Sequence, residues 1–546
     1  MSGLIRNATS KAMKICKLAK RMGARDDGNV AIMAAAAMVP LAIASLGAVD
    51  LTRAYATRVQ LQDALDAAAL AAGRSSTTDE TKLQALGERI LGQNISSNSD
   101  FELADSSFKF GPKGEVVASA RATYTPMLAF GGDGSREVSV STEVKRANSM
   151  LEIALVLDNT GSMDDKIGTY PNRKKKIEFL KIAATSFIDS MSNAADQSST
   201  PNSVKIALVP FSNLVNVGST YKTADWIDKD GKAPINNGIF TTTSKTSTLT
   251  TPVKRLDLFT AMGTSWGGCV EMRQAPYDIQ DTAPDTLHPE TLFTPFFAPD
   301  ERDRNNNDHD TNDYVKDPQK DADGNDLNAW GKQGSISKYT TDNRNNRSLS
   351  DTLGPNATCN QQPIQRLTTS FSTLKSAVNS MSVSGNTNIP MGLIWGWHAI
   401  SPYAPFGDGV AYHTAKYKKV VVLMTDGENT MAANNDSWSI NESKSSAAGY
   451  MWQGRILDKN GSPEKDVDDA TAAMNDRLKK LCANMKDGGN DIVIYVVGVG
   501  VQGDNRDMLK ACASDPDYYF DATDGAQLTG AFQTIASQIS ALHLSK

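Results

Sequence analysis

The stretch Leu151–Met163, LEIALVLDNTGSM, constrains the fold more than any other part of the chain. An apolar run passes directly into Asp158, and Thr160 and Ser162 follow at alternate positions around Gly161. An apolar run bounded by a polar, Gly-containing turn reads as a buried strand of a parallel sheet. The three polar side chains then fall just past the strand's carboxyl end, where open α/β sheets place their ligands. One carboxylate and two hydroxyls make a hard, all-oxygen cluster, which suits Mg²⁺. Asp, Thr and Ser are also good helix N-caps, so a plain strand-to-helix turn is the competing reading of this stretch alone.

A second stretch repeats the design. Lys419–Asn429, KVVVLMTDGEN, is an apolar β run that ends at Asp426, with Gly427 to turn. Between the two, Ser384–Gly392, SGNTNIPMG, puts Thr387 in a Gly/Asn loop just before a helix. Two acidic strand ends can meet at one switch point of one sheet. The set Asp158, Thr160, Ser162, Thr387 and Asp426 resembles the metal-ion-dependent adhesion site of von Willebrand factor type A domains. The pattern of that family is Asp-x-Ser-x-Ser, then a loop Thr, then an Asp in a TDG turn. Thr160 replaces the first Ser and keeps the hydroxyl. The resemblance implies that these five residues ligate Mg²⁺, with Mn²⁺ or Ca²⁺ as alternatives, directly or through water. Asp158 and Asp426 would neutralise the ion, and Thr160, Ser162 and Thr387 would supply hydroxyls. The resemblance also implies an open coordination position that an Asp or Glu carboxylate of a partner protein can fill.

From about Ser149 the chain alternates strands and helices, which predicts an α/β fold with a doubly wound, mostly parallel, Rossmann-like sheet. Helical patterning is read over Lys174–Met191, Arg366–Met381, Pro390–Ile400, Asp466–Lys486, Asp507–Ala513 and Gln527–Leu542. Further strands are read over Val204–Phe211, Asp491–Val499 and Tyr518–Ala522. Residues 212–365 interrupt this order with a polar stretch too long for an ordinary loop, read as an insertion on the rim of the metal face. A second polar excursion covers about 429–463. Inside the insertion, Asp308-His-Asp310-Thr-Asn312 and Asp321-Ala-Asp323-Gly-Asn325 have the spacing that opens a Ca²⁺ loop. Neither reaches a closing Glu, so a solvated acidic loop is the plainer reading.

The N-terminal region points to a membrane. Residues 1–28 carry seven Lys or Arg against Asp26 and Asp27, a net of +5, which leaves −11 for the rest of a chain whose total is −6. Val30–Val49 follows without a charge, long enough to cross a bilayer core. By the positive-inside rule the tail is cytoplasmic and everything after Asp50 is outside, a single-pass anchor in the bacterial inner membrane with a periplasmic or cell-surface head. A cleaved signal peptide is the rival, but its apolar core is shorter and no small-x-small site follows here. Pro40 is expected to kink the span, and its many Ala residues would let another helix approach closely. Leu51–Gly73 continues as helix, with Leu61, Leu65 and Ala68 on one face. Gly28-Asn29-Val30-Ala31, the apolar span, Asp50 and the run Leu61 through Ala69 together resemble the TadE/TadG-like N-terminal segment of Flp (tight-adherence) pilus-assembly proteins. The position where a pilin carries Glu is Met33, so prepilin processing and polymerisation as a pilin are not expected. Residues 74–148 read as a small α+β module: a helix over Lys82–Ile95, then strands over Phe101–Phe110, Val116–Tyr124 and Glu137–Lys145.

The expected domains are thus a basic tail (1–28), a membrane and continuing helix (29–73), the α+β module (74–148) and a type A domain (149–546). With 40% hydrophobic and 22% charged residues the chain is globular rather than disordered. Its acidic body argues against nucleic acid as a partner. Cys16 falls on the cytoplasmic side, and Cys269, Cys359, Cys482 and Cys512 form an even number in an oxidising space. Cys482–Cys512 would tie the helix before the fifth major strand to the helix after it, and Cys269–Cys359 would close a loop in the insertion. Other pairings, and buried free thiols, stay open at this stage. His309, His398 and His413 have no partners at ligand spacing.

These readings converge on a membrane-anchored, metal-dependent protein-binding component. The second resemblance implies work in Flp pilus assembly or anchoring, with pilus components among the partners. The alternative is a structural envelope or surface-adhesion protein unrelated to pili, its metal only stabilising loops. A Mg²⁺-dependent phosphohydrolase with Asp158 as nucleophile is a third class. Haloacid-dehalogenase-type phosphatases place a second Asp two residues on, where this chain has Thr160. No enzyme activity and no small-molecule substrate are expected.

Overall fold

The computed structural model describes residues 28–75, 77, 79–95, 100–111, 115–127, 134–144, 149–168, 173–198, 200–303, 312–345, 348–434 and 439–544. The basic tail with Cys16, and Asp308, His309 and Asp310, lie outside the described residues. The chain divides into two compact units, Met1–Arg146 and Ala147–Lys546.

In the first unit, helix α1 (Gly28–Arg74) runs unbroken for 47 residues, with Pro40 inside it. At 1.5 Å per residue its length is about 70 Å. Its first half is apolar yet exposed from Met33 to Val49, and it is long and apolar enough to cross a membrane. Its second half buries Leu61, Leu65, Ala68 and Ala72 at helical spacing. They pack with helix α2 (Glu80–Asn94) and an antiparallel sheet of β1 (Phe101–Phe110), β2 (Val116–Tyr124) and β3 (Arg136–Val144). Alternation along β2 buries Val116, Ala118, Ala120 and Ala122 on the helix-facing side. Gly87 of α2 leaves room for the Phe108 ring, with which a Cβ would collide.

The second unit is built on six strands. They are β4 (Met150–Asp158), β5 (Val204–Phe211), β6 (Gln365–Thr368), β7 (Tyr417–Thr425), β8 (Ile492–Val499) and β9 (Tyr519–Ala522). Their order in the sheet is β6-β5-β4-β7-β8-β9. All neighbours run parallel except β6, which lies antiparallel to β5 at the edge. The sheet is therefore mixed, and its strand order reverses between β4 and β7. Residues 366–368, expected to begin a helix, belong to this edge strand instead; the helix α4 starts at Phe371 and ends at Ser380. The segment is too short for periodicity to separate the two states.

Helices cover both faces, which is why β4 reads as a continuous apolar run. Leu151, Ile153, Leu155 and Leu157 face a core shared with α3 (Lys176–Asp196), α4 and α8 (Gly525–Leu544). Ala154 and Val156 face the other core, with α5 (Ile389–Ile400), α6 (Val467–Lys486) and α7 (Gly503–Cys512). The one charge in the run, Glu152, is buried and bonded to Lys419, its neighbour across the sheet, at 2.5 Å.

The long stretch after β5 differs from a polar rim loop. Trp226, Phe293, Phe296 and Phe297 join the same core as Trp395 of α5 and Val156 of β4. These aromatics are scattered through short strands and 3₁₀ turns, so no helical or strand period betrays them. Buried charges are paired: Glu271 takes Arg255 and Arg455, Asp278 takes Arg477, and Lys338 lies 2.9 Å from both Asp300 and Asp317. The disulfide Cys269–Cys359 closes this stretch, and Cys482–Cys512 joins α6 to α7.

Helix α5 approaches the sheet through two glycines. A methyl at Gly392 would be driven into the Phe211 ring, and one at Gly396 into Val156. Overpacking of this kind costs about 1–3 kcal/mol, more than the roughly 1 kcal/mol that Ala gains over Gly in a helix. Gly392→Ala and Gly396→Ala should each lower the denaturation midpoint of the second unit. Gly488→Ala, with nothing within 4 Å of the added atom, should leave it unchanged.

Candidate metal centre

The register of the sheet builds the centre. Met424 of β7 lies opposite Leu157 of β4, so Thr425 and Asp158 finish side by side at the carboxyl ends. The Thr425 hydroxyl donates to Asp158 Oδ2 at 2.7 Å, and the Thr160 amide donates to Asp158 Oδ1 at 2.9 Å. Thr160 Oγ1 and Ser162 Oγ are 3.0 Å apart. The Ser162 hydroxyl donates to Asp426 Oδ1 at 2.8 Å, and the Lys176 ammonium donates to Asp426 Oδ2 at 2.8 Å. Four of the five residues singled out in the sequence thus form one hydrogen-bonded chain. Thr387 lies on the loop that abuts them. The Gly161 amide donates to the Gly385 carbonyl at 2.9 Å, and the Ser384 amide to the Asn159 carbonyl at 2.9 Å. The Thr387 backbone is tied both ways to Thr430, and its hydroxyl is bonded to none of the other four.

Asp158 is wholly buried and the Asp426 side chain is 3% exposed, whereas Ser162 faces solvent. Burial, and then the charge of Asp426, push the Asp158 carboxyl up to about 7, against the hydrogen bonds of Thr160 and Thr425. One ammonium is thus set against two carboxylates held close together. Among the described residues no three His, Cys, Asp or Glu gather into a metal-binding group, so any cation here needs the hydroxyls as well. The donor set is all oxygen, carries an excess of negative charge and opens to solvent at Ser162. It fits a hard divalent ion such as Mg²⁺.

The other residues singled out in the sequence are accounted for elsewhere. His398 is buried between Asp281 and Arg273, where burial lowers its pKa. His413 meets the Gly489 carbonyl. Asp321 Oδ1 accepts from the amides of Asp323 and Asn325, so that turn closes on itself. Sequence reasoning missed Thr425 and Lys176. Lys176 gave no signal of its own, being one of four consecutive basic residues, Arg173 to Lys176, where the helix read over Lys174–Met191 begins.

A carboxyl whose folded pKa is raised contributes stability that is present below its unfolded value and lost as pH rises through its folded value. For Asp158 that window runs from about 4 to about 7. In chelator, the wild type should therefore lose thermal stability relative to Asp158→Asn as pH rises across this window. Parallel pH profiles of the two proteins would contradict the assignment.

The family model of Flp pilus-assembly TadE/G-like proteins matches residues 28–75. No curated protein matches the chain. Among solved structures, the pilus adhesin SpaC from Lactobacillus rhamnosus GG is similar at 14% identity and TM-score 0.31, over 82% of this chain and 35% of that one. The chain thus spans about a third of SpaC. The vWF domain of the type V pili tip protein Mfa5 from Porphyromonas gingivalis is similar at 11% identity and TM-score 0.32, over 72% of this chain and 95% of that one. Proximal thread matrix protein 1 from the mussel byssus, solved with a zinc-occupied MIDAS motif, is similar at 12% identity and TM-score 0.26, over 73% and 47%. Along helix α1, over residues 28–75, the chain is therefore similar to TadE/G-like Flp pilus-assembly proteins.

Proposed function

We propose that this is a membrane-anchored protein that binds a partner through a divalent metal, and that it works in the assembly or anchoring of a Flp-type pilus. The observation that carries the reading is the chain of hydrogen bonds from Asp158 through Thr160 and Ser162 to Asp426, residues 268 apart at its two ends meeting at adjacent strand ends. The sheet order supports a doubly wound domain of the von Willebrand factor type A kind. Numbered along the chain, the strands run third-second-first-fourth-fifth-sixth, and the site lies where that order reverses.

In this reading Asp158, Thr160, Ser162, Thr387 and Asp426 hold Mg²⁺, with Mn²⁺ or Ca²⁺ as substitutes. When bound, the ion supplies a hard positive centre that an Asp or Glu oxygen of the partner completes. The protein's own residues prepare the place. Thr425 fixes the Asp158 carboxylate by its hydroxyl bond, and the Gly161–Gly385 contact seats the Thr387 loop. Ser162 marks the side from which the partner arrives. No catalytic step is assigned to the site.

The domains are proposed as 1–28, 29–73, 74–148 and 149–546, with insertion 212–365 and a second excursion near 429–463. Residues 1–28 stay in the cytoplasm, α1 spans the inner membrane once, and the remainder is periplasmic or at the cell surface. The charge asymmetry supports that orientation, and the disulfides Cys269–Cys359 and Cys482–Cys512 fit an oxidising space. The TadE/G-like match supports the pilus.

Calorimetry of the full chain in detergent tests the reading. Mg²⁺ should give heat, and an Asp-containing peptide should give further heat only after Mg²⁺. Asp158→Ala should show neither. Heat from the metal with none from the peptide would make the ion structural and end the binding role; no heat from the metal would end the metal reading.

A further inference from the structure

Lys176 opens α3, and its ammonium has two carboxylates within reach. It lies 2.8 Å from Asp426 Oδ2 and 3.7 Å from Asp165 Oδ2. Its backbone N–H donates to the Asp165 carbonyl at 2.9 Å, so Asp165 stays beside it whichever way the side chain turns. The two carboxylates differ in setting: Asp426 is 3% exposed, Asp165 is 72% exposed, and the lysine side chain between them is 13% exposed. Both oxygens of Asp426 are engaged, one by the Ser162 hydroxyl and one by Lys176. The neighbouring basic residue, Lys175, is committed elsewhere, to Asp164 at 2.7 Å.

We propose that Lys176 is an internal cation that competes with the divalent ion for Asp426 and moves to Asp165 when the ion enters. The inference rests on the metal reading of the site given above. A unit positive charge beside Asp426, in a place screened from solvent, repels an incoming divalent ion. The same charge compensates one of the two carboxylates while the site holds no ion. Lys176 thereby sets the metal affinity low; once it has moved to Asp165, the ion's two charges face the carboxylates of Asp158 and Asp426 alone.

The test is Mg²⁺ calorimetry on the full chain in detergent, comparing wild type, Lys176→Gln and Lys176→Arg. Gln keeps most of the aliphatic stem and removes the charge; Arg keeps the charge. Lys176→Gln should bind Mg²⁺ roughly tenfold more tightly than wild type, or bind it where wild type does not, and Lys176→Arg should stay within about twofold of wild type. Equal or weaker binding by Lys176→Gln, with wild type still binding, would overturn the competition and leave the metal site standing. Tightening by Lys176→Arg to the same extent would also overturn it, because the charge would then be irrelevant. No binding by any of the three would overturn both the inference and the metal reading.

Discussion

Everything at the candidate site follows from placing two carboxylates at the ends of adjacent parallel strands. Asp158 closes β4 and Asp426 follows β7, and the sheet register brings the two strand ends side by side. Asp158 is fully buried, so its charge is neither solvated nor screened, and Asp426 raises its pKa further. The protein answers with hydroxyls, with the amide of Thr160 and with one lysine. Each device lowers the cost of the arrangement, and none removes the excess charge. A buried excess of this kind at the switch point of a sheet is the observation from which the cation reading proposed above starts.

A contrast within the same unit supports that distinction. In the insertion, Lys338 also serves two carboxylates, Asp300 and Asp317, and burial pushes Asp300 up to about 8. There the ammonium is fully enclosed and lies 2.9 Å from both partners, so the group is a closed core element. At the strand ends the ammonium of Lys176 has one buried partner and one in solvent. The first arrangement holds a segment together. The second has a way out.

The parts of the fold that were legible in the sequence are those with strong, continuous signals. The apolar runs into Asp158 and Asp426 announced β4 and β7 because both faces of those strands are covered. Leu61, Leu65 and Ala68 announced the packed half of α1 through their helical spacing. The edge strand β6 reads as helix from Arg366 onward because so short a segment carries too little pattern. The insertion was read as a polar rim because its core aromatics, Trp226, Phe293 and Phe296, are spread among many Asn, Asp and Thr. At the site, the acidic and hydroxyl residues stood at telling positions in their turns. Thr425 was hidden as the last residue of an apolar strand. Lys176 was hidden in the basic run Arg173 to Lys176, all of it at the start of the same helix.

The central claim is that Asp158, Ser162 and Asp426, together with Thr160 and the Thr387 loop, surround one divalent cation. Anomalous X-ray scattering from crystals grown with Mn²⁺ tests this most directly. The account predicts a single strong peak within coordination distance of Ser162 Oγ, between the Asp158 and Asp426 carboxylates. A peak elsewhere in the second unit, or none at these strand ends at saturating Mn²⁺, would contradict it.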